Sequence, residues 1–533
     1  MMRCLNVFFL AMVVSTVPAA AEPVLKFADE SKTAGLSSIY SGDYDFMVGG
    51  GATAFDCSGD GFSELYLAGG EGKAKFYRNE TKQGGELKFA EAASGLEFDR
   101  VLGAYPLDVD SDGNMDVVVL RSGENAIMRG TGDCKFERAN EAWNFDGGDA
   151  WSTAYAATFE KGANWPTIAI GNYIDRKEEI SPWGSCTDNW LHRADVTEKK
   201  FAKPVALKPS FCPLSIIFTD WNRSGVADLR ISNDRQYYEG GEEQMWRVPP
   251  GAPPALYTQA DGWRYVRIWG MGISSYDVDF DSYPEYFLTS MADNKLQTLA
   301  EVPKDGKPKP GFKDIAFAKG VTAHRPFMGD DLRPSTAWHT QFEDVNNDGR
   351  VDLFIAKGNV SEMPDFAMAD PNNLLVQGED GKFVEMADKA GVASTLTARG
   401  ALLTDFNLDG LLDLVVVNRL ENAEIWRNTS TDTGHWLQFR LKQDGANRDG
   451  VGAWIEVKRA DGKVMRRELY SGGGHVSGEN AWWHFGIGDL AATEVRVLWP
   501  GEEAGPWESV AADGFYLLER GKTAKAWKPV ALN

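Results

Sequence analysis

Asp108-Val-Asp110-Ser-Asp112-Gly113-Asn-Met-Asp116 reads D-x-D-x-D-G-x-x-D, and the residues that follow it, Val117-Val118-Val119-Leu120, form an apolar β-branched run. Oxygen donors at positions 1, 3, 5 and 9 suit a hard divalent cation, and Gly at position 6 permits the sharp bend that gathers them. An EF-hand would continue to a Glu at position 12 and enter a helix. Here the last Asp enters a buried strand, so the loop joins strand to strand.

The nonamer recurs. Asp56-Cys-Ser58-Gly-Asp60-Gly61-Phe-Ser-Glu64 precedes it, and four copies follow. These are Asp220-Trp-Asn222-Arg-Ser224-Gly225-Val-Ala-Asp228, diluted in charge; Asp277-Val-Asp279-Phe-Asp281-Ser-Tyr-Pro-Glu285, without the Gly; Asp344-Val-Asn346-Asn-Asp348-Gly349-Arg-Val-Asp352; and Asp405-Phe-Asn407-Leu-Asp409-Gly410-Leu-Leu-Asp413. Copies start about 52 to 67 residues apart, except for one interval of about 112 that has room for a hidden unit. In that interval Ala157-Thr158-Phe159-Glu160 and Thr167-Ile-Ala-Ile170-Gly171 keep the strands and lack the ligands. Seven units result, six with a metal loop, and calcium is the expected ion.

Repetition at this period marks a unit that cannot bury its own faces and must stack on its neighbours. A second recurring segment sets the unit's edge: Lys26-Phe27…Gly35-Leu36, Lys88-Phe89…Gly95-Leu96, Phe312…Gly320-Val321 and Lys382-Phe383…Gly391-Val392. The seventh unit has no such segment after it, whereas the first one stands unpaired at residues 26–36. The N-terminal strand is therefore expected to complete the last unit and close the ring, which removes an exposed edge.

These residues resemble FG-GAP or VCBS-type repeats, the seven-bladed β-propeller of integrin α-chains and many secreted bacterial proteins. The resemblance spans roughly residues 25–430. Beyond it the period stops. Gly434-His435-Trp436-Leu437, Asn447-Arg448-Asp449-Gly450-Val451-Gly452, Ser471-Gly472-Gly473-Gly474-His475, His484-Phe485-Gly486-Ile-Gly488 and Trp499-Pro500 are similar to the ASPIC/UnbV domain. That domain follows such a propeller in the cartilage acidic protein family. Read from the residues, Trp436-Leu-Gln-Phe-Arg-Leu and Ala453-Trp-Ile-Glu-Val-Lys alternate as strands of a small β-sandwich. The expected fold is all-β: a signal peptide over 1–21, a propeller over 22–431 and a C-terminal β domain over 432–533.

Met1-Met-Arg3, the apolar stretch Leu5 to Val14 and Ala19-Ala-Ala21 form a leader with a small-residue cleavage site, so the chain reads as secreted or periplasmic. No stretch is long enough to span a membrane. The chain has 55 basic and 78 acidic side chains, a net charge of −23. That charge argues against nucleic acid and anionic membranes as partners. Five or six calcium ions would offset roughly half of it, since the carboxylates of each loop repel one another without metal. Cys57, Cys134, Cys186 and Cys212 remain after cleavage, and three pairings are open. Cys186 with Cys212 is favoured because both lie in the long connection around the third unit, which leaves Cys57 with Cys134.

A catalytic signature is not apparent. The histidines His192, His324, His339, His435, His475 and His484 form no H-E-x-x-H, and G-x-S-x-G and C-x-x-C are missing. A Ser-His-acid site from His475 and His484 with nearby Ser471 and Glu479 can be imagined, but the resemblance to the ASPIC/UnbV domain implies turn and strand-edge positions there, and a polar His beside Gly is more often structural than catalytic. The expected function is a calcium-binding interaction protein, not an enzyme, whose face loops bind an extracytoplasmic protein or glycan. The alternative is a lectin or polysaccharide-active enzyme that uses the aromatic cluster Trp143, Trp151, Trp165, Trp183, Trp190 and Trp221 near the third unit. Polar insertions at 175–197, 234–254, 304–310 and 324–340 are expected to decorate one face and carry specificity.

Overall fold

The computed structural model describes residues 23–177, 184–195, 198–235, 241–304, 307–323, 331–490 and 492–529. The leader, Trp183 and His324 lie outside them, as do parts of the four insertions.

Seven four-stranded antiparallel meanders follow one another in the chain. The second to seventh begin with the inner strands Val101–Leu107, Ala150–Thr158, Pro213–Thr219, Gly270–Tyr276, Ala337–Glu343 and Ala398–Thr404, and the first with Ala52–Phe55. Each inner strand packs against the next, and the seventh packs against the first, so the inner strands form a closed ring. The N-terminal strand Phe27–Asp29 pairs antiparallel with Glu424–Asn428, Phe27 opposite Asn428, and supplies the outer edge of the seventh meander. Glu30 fixes this closure through an ion pair to Arg427 at 2.8 Å and by accepting the Leu87 N–H at 2.7 Å.

The hidden third unit is present. Its strands Ala150–Thr158, Thr167–Asn172, Asn189–His192 and Val205–Leu207 keep the pairing, and a short extra pair, Ala194–Asp195 with Lys200–Phe201, is inserted. Aromatic side chains fill the wedges between meanders, as with Phe55, Phe76 and Phe136 in mutual tilted and edge contact. Both disulfides follow the favoured pairing, Cys57–Cys134 and Cys186–Cys212. Among the described residues no helix is long and apolar enough to cross a membrane.

The C-terminal domain is built from two four-stranded sheets. One joins Trp483–Gly488, His435–Lys442, Gly514–Glu519 and Lys525–Trp527; the other joins Val464–Glu468, Trp454–Arg459, Ala492–Leu498 and Glu508–Ala511. Leu437, Phe439, Ile455, Val457, Phe485 and Ile487, all essentially buried, form the core between them.

The domain does not stand apart as a second free surface. Its Gly-rich segment, residues 471–480, leaves the sandwich and enters the axis of the ring. Ser471–Gly472 pairs with Ala156–Ala157 of the third inner strand, and Gly478–Asn480 runs parallel to Thr53–Phe55 of the first. Between them Gly473 donates to the Ile216 carbonyl at 2.8 Å and Gly474 to Ile273 at 2.7 Å. His475 N–H meets His339 Nδ1 at 3.1 Å, and Ser477 Oγ accepts the Ala52 N–H at 3.1 Å. The ring is cut to receive this plug. Six inner strands carry a register irregularity, and Gly103, Ala154, Ser215, Gly272, His339 and Gly400 lie in or beside it, five residues ahead of the first loop position. A Cβ on Gly51 or Gly103 would lie 1.8 or 2.1 Å from the Val476 carbonyl oxygen, so only Gly admits the chain there.

Candidate metal centres

All six nonamers adopt one local conformation between the first and second strands of their meanders. Position 1 closes the loop: its Oδ2 accepts the N–H of position 6, at 2.9 Å in Asp56, 3.0 Å in Asp108, 2.9 Å in Asp220, 3.2 Å in Asp277, 2.7 Å in Asp344 and 2.9 Å in Asp405. Position 6 is left-handed in every copy, and Ser282 adopts φ 83° where the others have Gly. The copy lacking Gly thus keeps the loop at the expense of a strained Ser. Position 4 is left-handed as well, through Gly59, Ser111, Arg223, Phe280, Asn347 and Leu408, a constraint that the varied residues there conceal.

Position 9 starts the second strand and ties back to position 2. Glu64, Asp116, Glu285, Asp352 and Asp413 accept the N–H of Cys57, Val109, Val278, Val345 and Phe406 at 2.8 to 3.0 Å. Asp228 departs from this. It accepts Trp221 Nε1 at 2.8 Å and the Tyr257 hydroxyl at 2.7 Å, because a bulky Trp stands at position 2 and draws the carboxylate into an aromatic core.

Two loops gather their acids tightly. Carboxylate oxygens of Asp108, Asp110 and Asp116, and those of Asp277, Asp279 and Glu285, all lie within 4.8 Å of one another in each group. Asp108 Oδ1 and Asp277 Oδ1 are buried with no donor facing them. Burial, reinforced by neighbouring carboxylates, pushes Asp108 up to about 7, Asp116 to about 8 and Asp277 to about 7, with Glu285 well above its usual range. A cation would oppose these shifts, since its positive charge favours the ionised form of buried, crowded carboxylates. Cys57, Glu64 and Cys134 also lie together, but the two sulfurs are joined as a disulfide and offer no thiolate.

The other loops are more internally satisfied. Asp56 Oδ1 takes the Gly59 N–H at 2.7 Å, with Ser58 Oγ at 3.3 Å, while Asp60 caps the Phe62 N–H at 2.9 Å. Ser224 N–H reaches both Asp220 Oδ1, at 2.7 Å, and Asn222 Oδ1, at 3.1 Å. Asn346 Nδ2 donates to Asp348 and Asn407 Nδ2 to Asp409. In the tight loop at 277–285, Asp281 likewise accepts the N–H two residues on, from Tyr283, at 2.8 Å. Burial raises Asp344, Asp352 and Asp413 well above the carboxylate range and Asp405 to about 7. In the second loop Asp112 and Asp110 share Arg129, at 2.7 and 3.0 Å.

What the sequence left unseen is that the C-terminal domain sits on this loop face. Arg440 reaches Asp56 at 2.7 Å, Arg448 Asp108 at 3.4 Å and Arg466 Asp277 at 3.4 Å, while Gln438 donates to Asp405 at 2.7 Å. Glu468 accepts the Asp220 N–H at 2.6 Å, and His484 Nε2 pairs with Asn347 Oδ1 at 2.7 Å. The position-6 glycines have a second duty here: a Cβ on Gly410 would lie 2.0 Å from Trp436 and one on Gly61 2.1 Å from Trp527. The arginines of residues 438–468, three of which stand opposite three acidic loops, were the available signal.

His475, in the bend between the two short strands of the plug, and His484, the second residue of the edge strand Trp483–Gly488, keep the turn and strand-edge positions expected of them and are both buried at the domain junction. One expectation changes. The proposed tryptophan platform is mostly core: Trp143, Trp151, Trp165 and Trp221 are buried, Trp143 against Trp165 at 5.1 Å and Trp151 against Tyr173 at 5.0 Å. Rings that fill wedges between meanders cannot also stack on a sugar. Trp190 alone of the five described is half-buried.

Comparison with known proteins agrees with the motifs. FG-GAP-like repeats match residues 56–119 and 344–416, and an ASPIC and UnbV domain matches 443–525. No curated protein matches the chain in sequence. Similar solved structures include BBS1N in complex with ARL6DN (TM-score 0.42, 10% identity, covering 76% of this chain and 97% of that one). A fungal alcohol oxidase of the AA5 family, in complex with copper, gives a TM-score of 0.43 at 9% identity, covering 92% and 99%. Sqt1 of Saccharomyces cerevisiae gives 0.38 at 10%, covering 76% and 98%.

Proposed function

Taking as premise that the chain carries FG-GAP-like repeats and a C-terminal ASPIC/UnbV domain, we propose that it is an exported calcium-binding interaction protein in which calcium is structural. One observation supports this most: in the loops at 108–116 and 277–285 three carboxylates converge, and Asp108 Oδ1 and Asp277 Oδ1 are buried without a donor. Leaving such an oxygen unpaired costs about 1–3 kcal/mol, and more when charged. An all-oxygen, carboxylate-rich donor set selects calcium over softer metals. When bound, the ion supplies positive charge that holds each loop's acids together; Asp108, Asp110, Asp112 and Asp116, and Asp277, Asp279, Asp281 and Glu285, are its holders. Export rests on the leader pattern and fits the two disulfides, which persist in oxidising compartments.

The partner surface lies at the other end of the ring. The C-terminal domain occupies the metal-loop face as a lid, whereas the connections between second and third strands emerge at the opposite end, where among the described residues none pairs with a strand of that domain. A protein or glycan partner is assigned to that face. Calcium titration by calorimetry, with melting curves in calcium and in chelator, tests the metal reading. Saturable binding and a higher melting temperature with calcium are expected; identical melts and no binding heat would reject it.

A further inference from the structure

At the ring's open end, opposite the lid, a cavity of about 230 Å³ is lined by four methionines, Met47, Met271, Met291 and Met363, with Trp269 and Trp338. The chain has 14 methionines in all, so their concentration in one cavity is not a matter of composition. Tyr173, Leu214, Val48, Val360 and Phe366 complete the apolar wall. Trp338 and Leu214 are completely buried at its depth, while Trp269, 38% exposed, stands at the mouth. The deep wall abuts the plug: the Trp338 ring lies 5.1 Å from His475, whose Nδ1 is 3.2 Å from the Leu214 carbonyl.

The cavity offers little to a polar guest. Its charged residues, Asp234 and Arg235, face each other at 3.4 Å, and Asp234 also accepts the Tyr173 hydroxyl at 2.5 Å. Arg399, packed behind Trp338, directs its guanidinium to the carbonyls of Met47, Asn359 and Val360. A sugar would leave most of its hydroxyls without partners here, at a cost for each. An aromatic guest would gain: thioether sulfur packs favourably against ring edges, methionine adapts to irregular shapes, and rings prefer tilted contacts with other rings.

We propose that this axial cavity is a binding site for an uncharged aromatic small molecule of one or two fused rings. Size sets the class, since an apolar cavity of about 150 Å³ is already enough for benzene. No metal-loop residue lines the cavity, so this site and the calcium reading stand or fall separately.

The test is titration of the full-length protein, with and without added calcium, with N-phenyl-1-naphthylamine, an uncharged probe that fluoresces in apolar surroundings, alongside an anionic naphthalenesulfonate. One saturable site for the neutral probe is expected, with the anion at least tenfold weaker. Val360→Trp, which fills the partly buried wall, and Met363→Lys, which charges it, should each weaken the neutral probe at least tenfold while the melting temperature stays within two degrees. If either variant does not fold, competition of the wild-type probe signal by naphthalene provides the same decision. Non-saturable binding, equal affinity for the anion, no competition by naphthalene, or undiminished binding in folded Val360→Trp would overturn the assignment.

Discussion

Replacing Gly103 with Ala tests whether the Gly-rich segment of the C-terminal domain locks the ring. Gly103 lies in a strand and is absent from the left-handed glycines, so Ala suits its backbone. On chain entropy alone the change should stabilise by about 0.4–1 kcal/mol. The structure predicts the opposite sign. The new Cβ would lie 2.1 Å from the Val476 carbonyl oxygen and 2.8 Å from its carbon, both backbone atoms held from two sides. Relief requires the plug to back out. Of the hydrogen bonds that hold it, the five nearest Val476 run from Gly473, Gly474 and His475 and to Gly474 and Ser477. At about 1 kcal/mol net each they amount to about 5 kcal/mol. Burial of Val476, which is 0% exposed, adds about 1.5–3 kcal/mol. Freed chain entropy offsets part, at about 1–2 kcal/mol for each backbone residue released. A net loss of about 2–4 kcal/mol is expected if the plug yields over a few residues. Guanidinium unfolding followed by tryptophan fluorescence measures it, and limited proteolysis near residues 471–480 shows whether the segment is released. A two-domain chain need not unfold in one step, so a split transition is itself an expected result. Stability equal to or above wild type, with the segment still protected, would refute the lock.

Asp108→Asn and Asp277→Asn should each remove about one calcium equivalent in calorimetry, whereas Asp228→Asn should not change the count, because Asp228 is already engaged by Trp221 and Tyr257. Deleting residues 22–36 removes the closing strand and the Glu30–Arg427 ion pair, and should lower the melting temperature of the entire ring, read by circular dichroism. Acid should act through the junction histidines: burial lowers His475 and His484 to about 3 and His339 to about 4. Their stabilising contribution is complete above the unfolded value near 6.5 and is lost as pH falls toward these folded values, about 2 kcal/mol per histidine at pH 5. His484→Gln, which can still pair with Asn347, should therefore lose about 2 kcal/mol less than wild type between pH 7 and pH 5 in denaturant midpoints. Breaking Cys186–Cys212 with paired serines should destabilise by about 3–4 kcal/mol, the loop-entropy value for such a separation, checked by the same unfolding curves.

The sequence by itself determined the repeat, the seven units and the N-terminal closure, because each rests on local signals; it favoured the disulfide pairing that the fold shows but left three pairings open. A strand needs its apolar run, a loop its Asp-x-Asp-x-Asp-Gly bend, and an unpaired Phe27 segment its missing partner. Even the third unit, whose loop holds Phe159 and Thr167 in place of acids, was legible from its strands. Only the tertiary structure decided how the two domains meet. Gly51, Gly103, Gly272 and Gly400 sit in different units, far apart in the chain, and their shared purpose emerges when the ring brings them around one axis. The same holds for Arg440, Arg448 and Arg466, whose partners Asp56, Asp108 and Asp277 lie from 189 to 384 residues away. Likewise the tryptophans are ambiguous in sequence, because burial is a property of the packed ring and not of the residue. Spacing along a chain encodes what a segment does to itself; what faces it across the ring axis is set by closure.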